Sequence, residues 1–148
     1  MVTKGAYCIC IEVSDDLCVK IGSLGVIEFH EGCYIYVGSA LNGLDSRVLR
    51  HINTSKGVNN AIHWHIDYLL REKSVNVEVV YVKLSEEKIE CEIAGKVSHH
   101  GSGVKGFGCS DCRCNSHLFS VKSWNFLPDL KMEIWKAVET PSKIISSH

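Results

Sequence analysis

One stretch decides the fold of this 148-residue chain: Tyr34-Ile35-Tyr36-Val37-Gly38-Ser39-Ala40-Leu41-Asn42-Gly43-Leu44, followed by Arg47 and His51. It predicts a strand that ends at a glycine, a short polar loop, and a helix that carries a basic pair one turn apart. A glycine lets a ligand approach the backbone closely, and a helix start offers free N–H groups to an anion. The stretch therefore predicts a site for a phosphate group.

Length and composition indicate one soluble globular domain. The hydrophobic fraction is 45%, the charged fraction is 22%, and no apolar run is long enough to span a bilayer. We expect a cytoplasmic protein without disulfides, because no basic segment followed by an apolar run opens the chain. The net charge of −1 gives no global attraction for a polyanion, so DNA contact requires a local basic patch. The candidates for that patch are Arg47, Arg50, Lys56, Lys105, Arg113 and Lys122.

The hydrophobic pattern predicts strands and helices in a mixed order. Strand patterns cover residues 5–13, 17–21, 26–29, 33–38, 75–84 and 118–121, and the second and third of these form a hairpin. Helical spacing covers residues 44–53, 62–72, 85–98 and 129–139, with Ser85 as the N-cap of the third helix. The glycine-rich segment 99–108 is predicted to be a loop.

Glu90 lies within the apolar stripe of the helix predicted at residues 85–98, whereas Glu92 lies on its outer side, four residues before Lys96. A carboxylate facing apolar side chains is costly to desolvate unless a cation or hydrogen-bond donors compensate. Glu90 is therefore a metal ligand, a paired acid in the core, or an acid at the rim of a cleft. Mg²⁺ suits the first interpretation, because it takes one or two carboxylates and completes its shell with water and phosphate oxygens.

Arg47 and His51 share one flank of the first predicted helix, and Arg50 points further out. The pair is either a solvated helix face or part of a site. In a site, a guanidinium would bind a phosphate through two hydrogen bonds and stabilise the charge of the transition state. Tyr7 and Tyr36 are either aromatic core residues of strands or, if a metal-bound water or cations favour the phenolate, candidates for a general base.

Two further clusters contain metal-ligand residue types. His63 and Asp67 lie one turn apart. A hydrogen-bonded pair that orients the helix is the favoured interpretation of this spacing, and a metal site is the less favoured one. Structural zinc usually joins two separated pairs of ligands, whereas the cysteine-rich cluster is compressed into one short loop. A buried or substrate-lining loop is therefore the favoured interpretation, and zinc is the less favoured one. The cluster consists of Cys109, Cys112, Cys114 and His117.

Together these segments resemble the Uri-type branch of the GIY-YIG endonuclease superfamily. The resemblance covers roughly residues 3 to 122 and lies in two triplets, a histidine-rich run, an acidic helix and the cysteine-rich loop. The segments are Gly5-Ala6-Tyr7, the stretch from Tyr34 to His51, His63-Trp64-His65-Ile66-Asp67-Tyr68-Leu69-Leu70, Glu90-Cys91-Glu92-Ile93-Ala94, Gly106-Phe107-Gly108, Ser110-Asp111-Cys112-Arg113-Cys114 and Ser116-His117-Leu118-Phe119.

The resemblance implies an α+β fold, with a small antiparallel central sheet of about three strands flanked by helices, an extra hairpin and a C-terminal helix. Residues 1–124 would form the nuclease-like domain, and residues 125–148 an extension that packs on it or trails from it. The activity implied is hydrolysis of DNA phosphodiester bonds in repair or processing, with one Mg²⁺ or Mn²⁺ ion.

The resemblance also implies roles for individual residues. Glu90 would hold the metal ion, Arg47 would stabilise the pentavalent phosphate, and the phenols of Tyr7 and Tyr36 would activate or position the attacking water, assisted by His51. The residues expected to bind the substrate are Gly38, Ser39, Asn42, Arg50, Lys56 and Arg113. Two alternatives stay open: a nucleic-acid-binding or accessory module that lacks catalysis, and a metal-binding protein built around the cysteine-rich loop.

Overall fold

The computed structural model describes residues 3–58, 61–109 and 114–136. Two sheets and three α-helices form the described part of the chain. The strands are β1 (Gly5–Val13), β2 (Leu17–Lys20), β3 (Val26–Phe29), β4 (Gly32–Ala40), β5 (Val75–Leu84), β6 (Gly101–Gly103), β7 (Leu118–Val121) and β8 (Glu133–Ile134). The α-helices are α1 (Leu44–Ser55), α2 (His65–Leu70) and α3 (Glu90–Val97). Short 3₁₀ turns occur at Gly22–Leu24, Ser98–His100 and Leu127–Leu130.

The predicted α+β class is confirmed, but the central sheet is larger than expected. It has six strands in the order β6-β7-β4-β1-β5-β8, all paired antiparallel, and β2 with β3 forms the separate hairpin. The strand β6 was predicted to be loop, because Gly101–Gly103 carries no side-chain pattern. A side chain at Gly101 would collide with the backbone oxygen of Ser120, so glycine is what permits this pairing.

Strand β1 divides the core into two layers. Tyr7, Ile9 and Ile11 face the side covered by α1, α2 and the β2–β3 hairpin. Cys8 and Cys10 face the opposite side, where they pack with α3 and with the 3₁₀ turn at Leu127–Leu130. This alternation is the period of a strand that is buried on both faces. Helix α1 and helix α3 therefore lie on opposite faces of the central sheet.

Two helix predictions are wrong at particular boundaries. Helix α3 begins at Glu90 rather than after Ser85, and Ile89 occupies its N-cap position. Ser85 instead accepts a hydrogen bond on its side chain from the backbone N–H of Glu87, 3.0 Å away, in the preceding turn. Helix α2 is likewise shorter than predicted, because Trp64, in extended conformation, precedes its first turn.

The helix predicted at residues 129–139 is also wrong over its described part. Lys131 has a left-handed backbone conformation, with φ of 63°, which ends the 3₁₀ turn at Leu127–Leu130. The chain then becomes strand β8, which pairs with Tyr81 and Val82 of β5. Residues 137–139 lie outside the described residues. Within the described ranges, no helix has both the length and the apolar character needed to cross a membrane.

Candidate active site

A cleft of about 460 Å³ opens beside the end of β4. Strands β1 and β4, helix α1, the turn before α2, the start of α3 and the loop at Gly108 form its walls. Seven residues predicted to act in a site line this one cleft: Tyr7, Tyr36, Gly38, Ser39, Asn42, Arg47 and Glu90. Leu41, His63, Trp64, His65, Lys88 and Gly108 complete the lining.

Glu90 reaches the cleft from the far face of the sheet. It is the first residue of α3 and lines the cleft together with Gly38 and Ser39 of β4, so the N-terminal end of α3 lies beside the last residues of that strand. The side chain of Glu90 is only 15% exposed, and its carboxylate lies 3.6 Å from the Lys88 ammonium group. Helix α3 packs against the core layer that contains Cys8 and Cys10, whereas the Glu90 side chain lines the cleft.

Arg47 is held in place by its contacts with neighbouring residues of the cleft. Its Nη1 donates a hydrogen bond to the backbone carbonyl of Ser39, 3.1 Å away. Its guanidinium lies 4.5 Å from the centre of the Trp64 ring, within cation–π distance. Arg50 also lies over this ring, at 4.6 Å. Trp64 therefore holds both arginines in place. The sequence did not indicate this role, although Trp64 lies in the histidine-rich run.

Behind the cleft lies a buried chain of three side chains, here called the Tyr7–His51–Asp67 relay. The Tyr7 hydroxyl group lies 2.9 Å from His51 Nε2. On the other side of the ring, His51 Nδ1 faces Asp67 Oδ1 at 3.6 Å, and within the described residues neither of these buried atoms has a hydrogen-bond partner. A carboxylate only accepts, so the proton of His51 belongs on Nδ1. The Tyr7 hydroxyl group then donates to Nε2.

Burial sets the protonation states of the relay. It raises the pKa of Tyr7 well above the usual value, although Arg47 opposes that effect. It also lowers the pKa of His51 below 6.5, against the opposing effect of Asp67. Burial alone would raise the pKa of Asp67, but interactions with His51 and two backbone N–H groups lower it to about 2. At neutral pH the relay therefore contains a protonated phenol, a neutral imidazole and a carboxylate.

The structure corrects the expected partner of Asp67. The sequence predicted a pair with the His63 side chain, but Asp67 Oδ2 accepts hydrogen bonds from the backbone N–H groups of His63 and Trp64, at 2.8 and 3.1 Å. These bonds cap the start of α2. The histidine side chain that faces Asp67 is His51, from helix α1. Asp67 thus links the relay to the turn that contains Trp64.

Not every residue predicted to belong to the site lies in the cleft. His51 is buried behind Tyr7, and Arg50 lies 3.4 Å from Asp67. Lys56 follows the C-terminal end of α1 and borders a different depression, next to β5. Arg113 lies outside the described residues. The N-terminal end of α1 does not offer the backbone N–H of Leu44 to an anion, because Thr3 accepts it.

Gly38 has a steric role that adds to the one expected from the sequence. It pairs with Tyr7 across β1 and β4, and it also lines the cleft. A Cβ at this position would lie 2.5 Å from the hydroxyl oxygen and from Cζ of Tyr7. The absence of a side chain at Gly38 therefore makes room for the Tyr7 phenol as well as for a ligand.

We expect Gly38→Ala to lower the free energy of unfolding by about 1–3 kcal/mol, since the buried Tyr7 ring has little space to move. Gly95→Ala is the matched control: Gly95 lies inside α3 and nothing lies within 4 Å of an added Cβ. The control should gain about 0.5–1 kcal/mol, because alanine is the better helix former. Urea denaturation of both variants measures these changes. Equal stability of Gly38→Ala and the wild type would contradict the packing described here.

A second cluster lies close to the cleft. The ligand atoms of Cys91, Cys114 and His117 all lie within 4.8 Å of one another, so these residues could hold a metal ion. The sequence grouped Cys114 and His117 with Cys109 and Cys112, and did not include Cys91. The Cys109 thiol instead lies 3.4 Å from the backbone oxygen of Phe107, and Cys112 lies outside the described residues. No sequence spacing marks Cys91, because it comes from α3, 23 residues before Cys114.

Comparison with known proteins identifies the family of the chain. Residues 6–139 match a family described as Domain of unknown function DUF123. The chain belongs to the DUF123 family. The match spans the cleft, the relay and the cysteine-containing cluster, so all three lie within the region that defines this family. No curated protein and no solved structure matches the chain.

Proposed function

We propose that the protein is a metal-dependent endonuclease that hydrolyses DNA phosphodiester bonds. One observation carries this proposal: Arg47 and Glu90, from helices on opposite faces of the sheet, line the same cleft as Tyr7 and Tyr36. A guanidinium suits the phosphate, a carboxylate suits a divalent cation, and phenols suit proton transfer to or from water. The resemblance to Uri-type GIY-YIG nucleases supports the same assignment and supplies DNA, in repair or processing, as the substrate.

The residues present fit one Mg²⁺ or Mn²⁺ ion at Glu90. Among the described residues that line the cleft, Glu90 is the one acid, and its partner Lys88 is 53% exposed, so a cation can displace the ammonium group at small cost. Mg²⁺ retains several waters and takes few protein ligands when phosphate oxygens are present, which matches a single carboxylate in an open cleft. When bound, the ion would supply Lewis acidity to the phosphoryl oxygens.

The Tyr7–His51–Asp67 relay supplies the base. Because burial keeps the Tyr7 phenol protonated, it cannot act alone as a phenolate. The attacking water gives a proton to the Tyr7 oxygen while Tyr7 passes its own proton to His51 Nε2. The carboxylate of Asp67 stabilises the imidazolium that forms. Aspartate behind a histidine serves the same purpose in the Ser-His-Asp triad.

Arg47 and Tyr36 act on the phosphate. The Ser39 carbonyl and the Trp64 ring fix the guanidinium of Arg47 before substrate arrives, so little reorganisation is needed as charge develops on the phosphoryl oxygens. Burial raises the pKa of Tyr36 well above its usual value, so this phenol is a hydrogen-bond donor at neutral pH. Tyr36 lies beside Tyr7, with ring centres 6.4 Å apart.

The proposal is tested by incubating the protein with labelled flap, bubble, branched and single-stranded DNA in Mg²⁺ or Mn²⁺. We expect cleavage of at least one of these DNAs, and loss of cleavage when EDTA removes the divalent ions. Gel-shift assays in Ca²⁺ on the same DNAs measure binding separately. Binding without cleavage in any of these ions would contradict the enzyme and support the accessory-module alternative, which the near-neutral net charge also permits.

The relay predicts how the rate of cleavage depends on pH. His51 must be neutral to accept a proton, and burial lowers its pKa below 6.5, so the neutral form persists into weakly acidic solution. We expect the acidic limb of the pH–rate profile, at saturating metal, to have its midpoint below 6.5. The Asp67 carboxylate raises the pKa of His51, so Asp67→Asn should shift this midpoint to still lower pH while slowing the reaction. A midpoint above 6.5 in the wild type would argue against His51 as the base.

A further inference from the structure

The structure assigns a second metal site, separate from the catalytic carboxylate: we propose that Cys91, Cys114 and His117 bind one zinc ion. Their ligand atoms lie within 4.8 Å of one another, and Cys91 Sγ lies 3.8 Å from His117 Nε2. A thiolate sulfur and an imidazole nitrogen on one tetrahedral zinc ion are roughly 3.6 Å apart. The side chains therefore need only small movements to take up an ion.

The imidazole of His117 is oriented as a ligand. Its Nδ1 lies 3.1 Å from the backbone oxygen of Val37, which can only accept, so the proton belongs on Nδ1. The lone pair of Nε2 then faces Cys91. Backbone hydrogen bonds on both sides of this residue fix its position: its N–H donates to Phe107, and its carbonyl accepts from Val37. A backbone carbonyl that accepts from the second nitrogen is one of the usual arrangements behind a histidine bound to zinc.

The donor set selects zinc. Thiolates are soft ligands and imidazole also suits zinc, whereas Mg²⁺ and Mn²⁺ prefer oxygen ligands. The sequence spacing counted against zinc because Cys109, Cys112, Cys114 and His117 fall in one short loop. That objection does not apply to the observed cluster, since Cys91 comes from α3 and His117 precedes β7. The ligands are therefore drawn from separated segments, as in structural zinc sites.

The zinc ion would join the first turn of α3 to the segment before β7. Cys91 follows Glu90 directly, and His117 Nδ1 lies 3.7 Å from the Glu90 carboxylate. With zinc on Nε2, the Nδ1–H group is fixed in place beside both Val37 and Glu90. The ion would thus hold the carboxylate at the edge of the cleft. This consequence for Glu90 rests on the proposed function, but zinc binding does not.

Metal content tests the site without any assay of activity. We expect the protein purified with zinc present to contain about one zinc ion per chain, and Cys91→Ser to lose at least about nine-tenths of it. Cys91 is exposed, so this change should leave the fold intact. Cys18→Ser is the matched control, since Cys18 is an exposed thiol on the separate hairpin, and it should retain the wild-type zinc content. Co²⁺ added to the metal-free protein should give the visible bands of a tetrahedral thiolate site, and Cys91→Ser should lack them.

Three results would overturn the proposal. The first is a zinc content in Cys91→Ser equal to that of Cys18→Ser. The second is loss of zinc in Cys109→Ser with full retention in Cys91→Ser, which would place the ion within the loop alone. The third is a Cys91–Cys114 disulfide in the intact mass of protein that contains no zinc. A zinc-loaded protein that fails to cleave DNA would contradict the nuclease proposal and leave the zinc site standing.

Discussion

Glu90→Gln is expected to reduce DNA cleavage by at least about 10³-fold, because it removes the carboxylate proposed to hold the divalent ion. Charge stabilisation by a bound metal contributes several kcal/mol to the transition state, and each 1.4 kcal/mol corresponds to a factor of ten in rate. The partners of Glu90, Lys88 and His117, lie at 3.6 and 3.7 Å, so the change should alter the free energy of unfolding by less than about 1 kcal/mol. Single-turnover cleavage and urea denaturation measure the two effects separately.

Glu92→Gln is the matched control for this experiment. Glu92 has the same side chain, lies in the same turn of α3 and is exposed to solvent rather than facing the cleft. It should cleave at nearly the wild-type rate. If Glu92→Gln were inactive and Glu90→Gln active, the acid would be misassigned and the cleft would not be the reaction centre.

Arg47→Lys is expected to reduce cleavage by about 10²–10³-fold, although it preserves the charge. Lysine cannot present two parallel N–H donors to a phosphate, nor stack its charge on an aromatic ring as a guanidinium does. The guanidinium of Arg47 makes both a hydrogen bond to Ser39 and a contact with Trp64, so its position in the cleft also depends on its shape. Cleavage rates at saturating DNA separate this effect from weaker binding.

Arg50→Lys tests whether the effect belongs to Arg47 in particular. Arg50 lies on the same helix and over the same tryptophan, but contacts Asp67 and the backbone of Ala61 instead of lining the cleft. Its loss of rate should be smaller, within about tenfold, and should be accompanied by a loss of stability. A larger loss of rate for Arg50→Lys than for Arg47→Lys would reverse the assigned roles.

Local patterns in the sequence predicted most of the long elements. The alternating sequence patterns predicted the bounds of β1 and β5, and helical spacing predicted the first residue of α1. These segments could be predicted because each buries at least one regular face. The short elements have no such pattern. Strand β6 is Gly-Ser-Gly and strand β8 has two exposed residues, so only their pairing partners define them. Helical spacing likewise does not predict the left-handed backbone conformation of Lys131, which ends the last 3₁₀ turn.

The candidate site was predictable where a side chain conflicted with its surroundings. Glu90 was identified because a carboxylate within an apolar stripe is costly to desolvate without a compensating partner. The structure places it in the cleft. Residues whose role depends on a distant partner were not predictable in the same way. His51 faces Asp67 from another helix, and Cys91 meets Cys114 and His117 across the end of the sheet. Those contacts arise only when the sheet brings remote segments together.

If the protein is the proposed nuclease, the cleft holds a divalent cation at Glu90 beside a phosphodiester bound by Arg47. The most direct measurement is anomalous scattering from crystals grown with Mn²⁺ and a phosphorothioate oligonucleotide that resists cleavage. We predict one manganese peak bonded to the Glu90 carboxylate, with the phosphorothioate next to the Arg47 guanidinium. Manganese absent from Glu90, or the oligonucleotide bound away from the cleft, would contradict the proposed nuclease site.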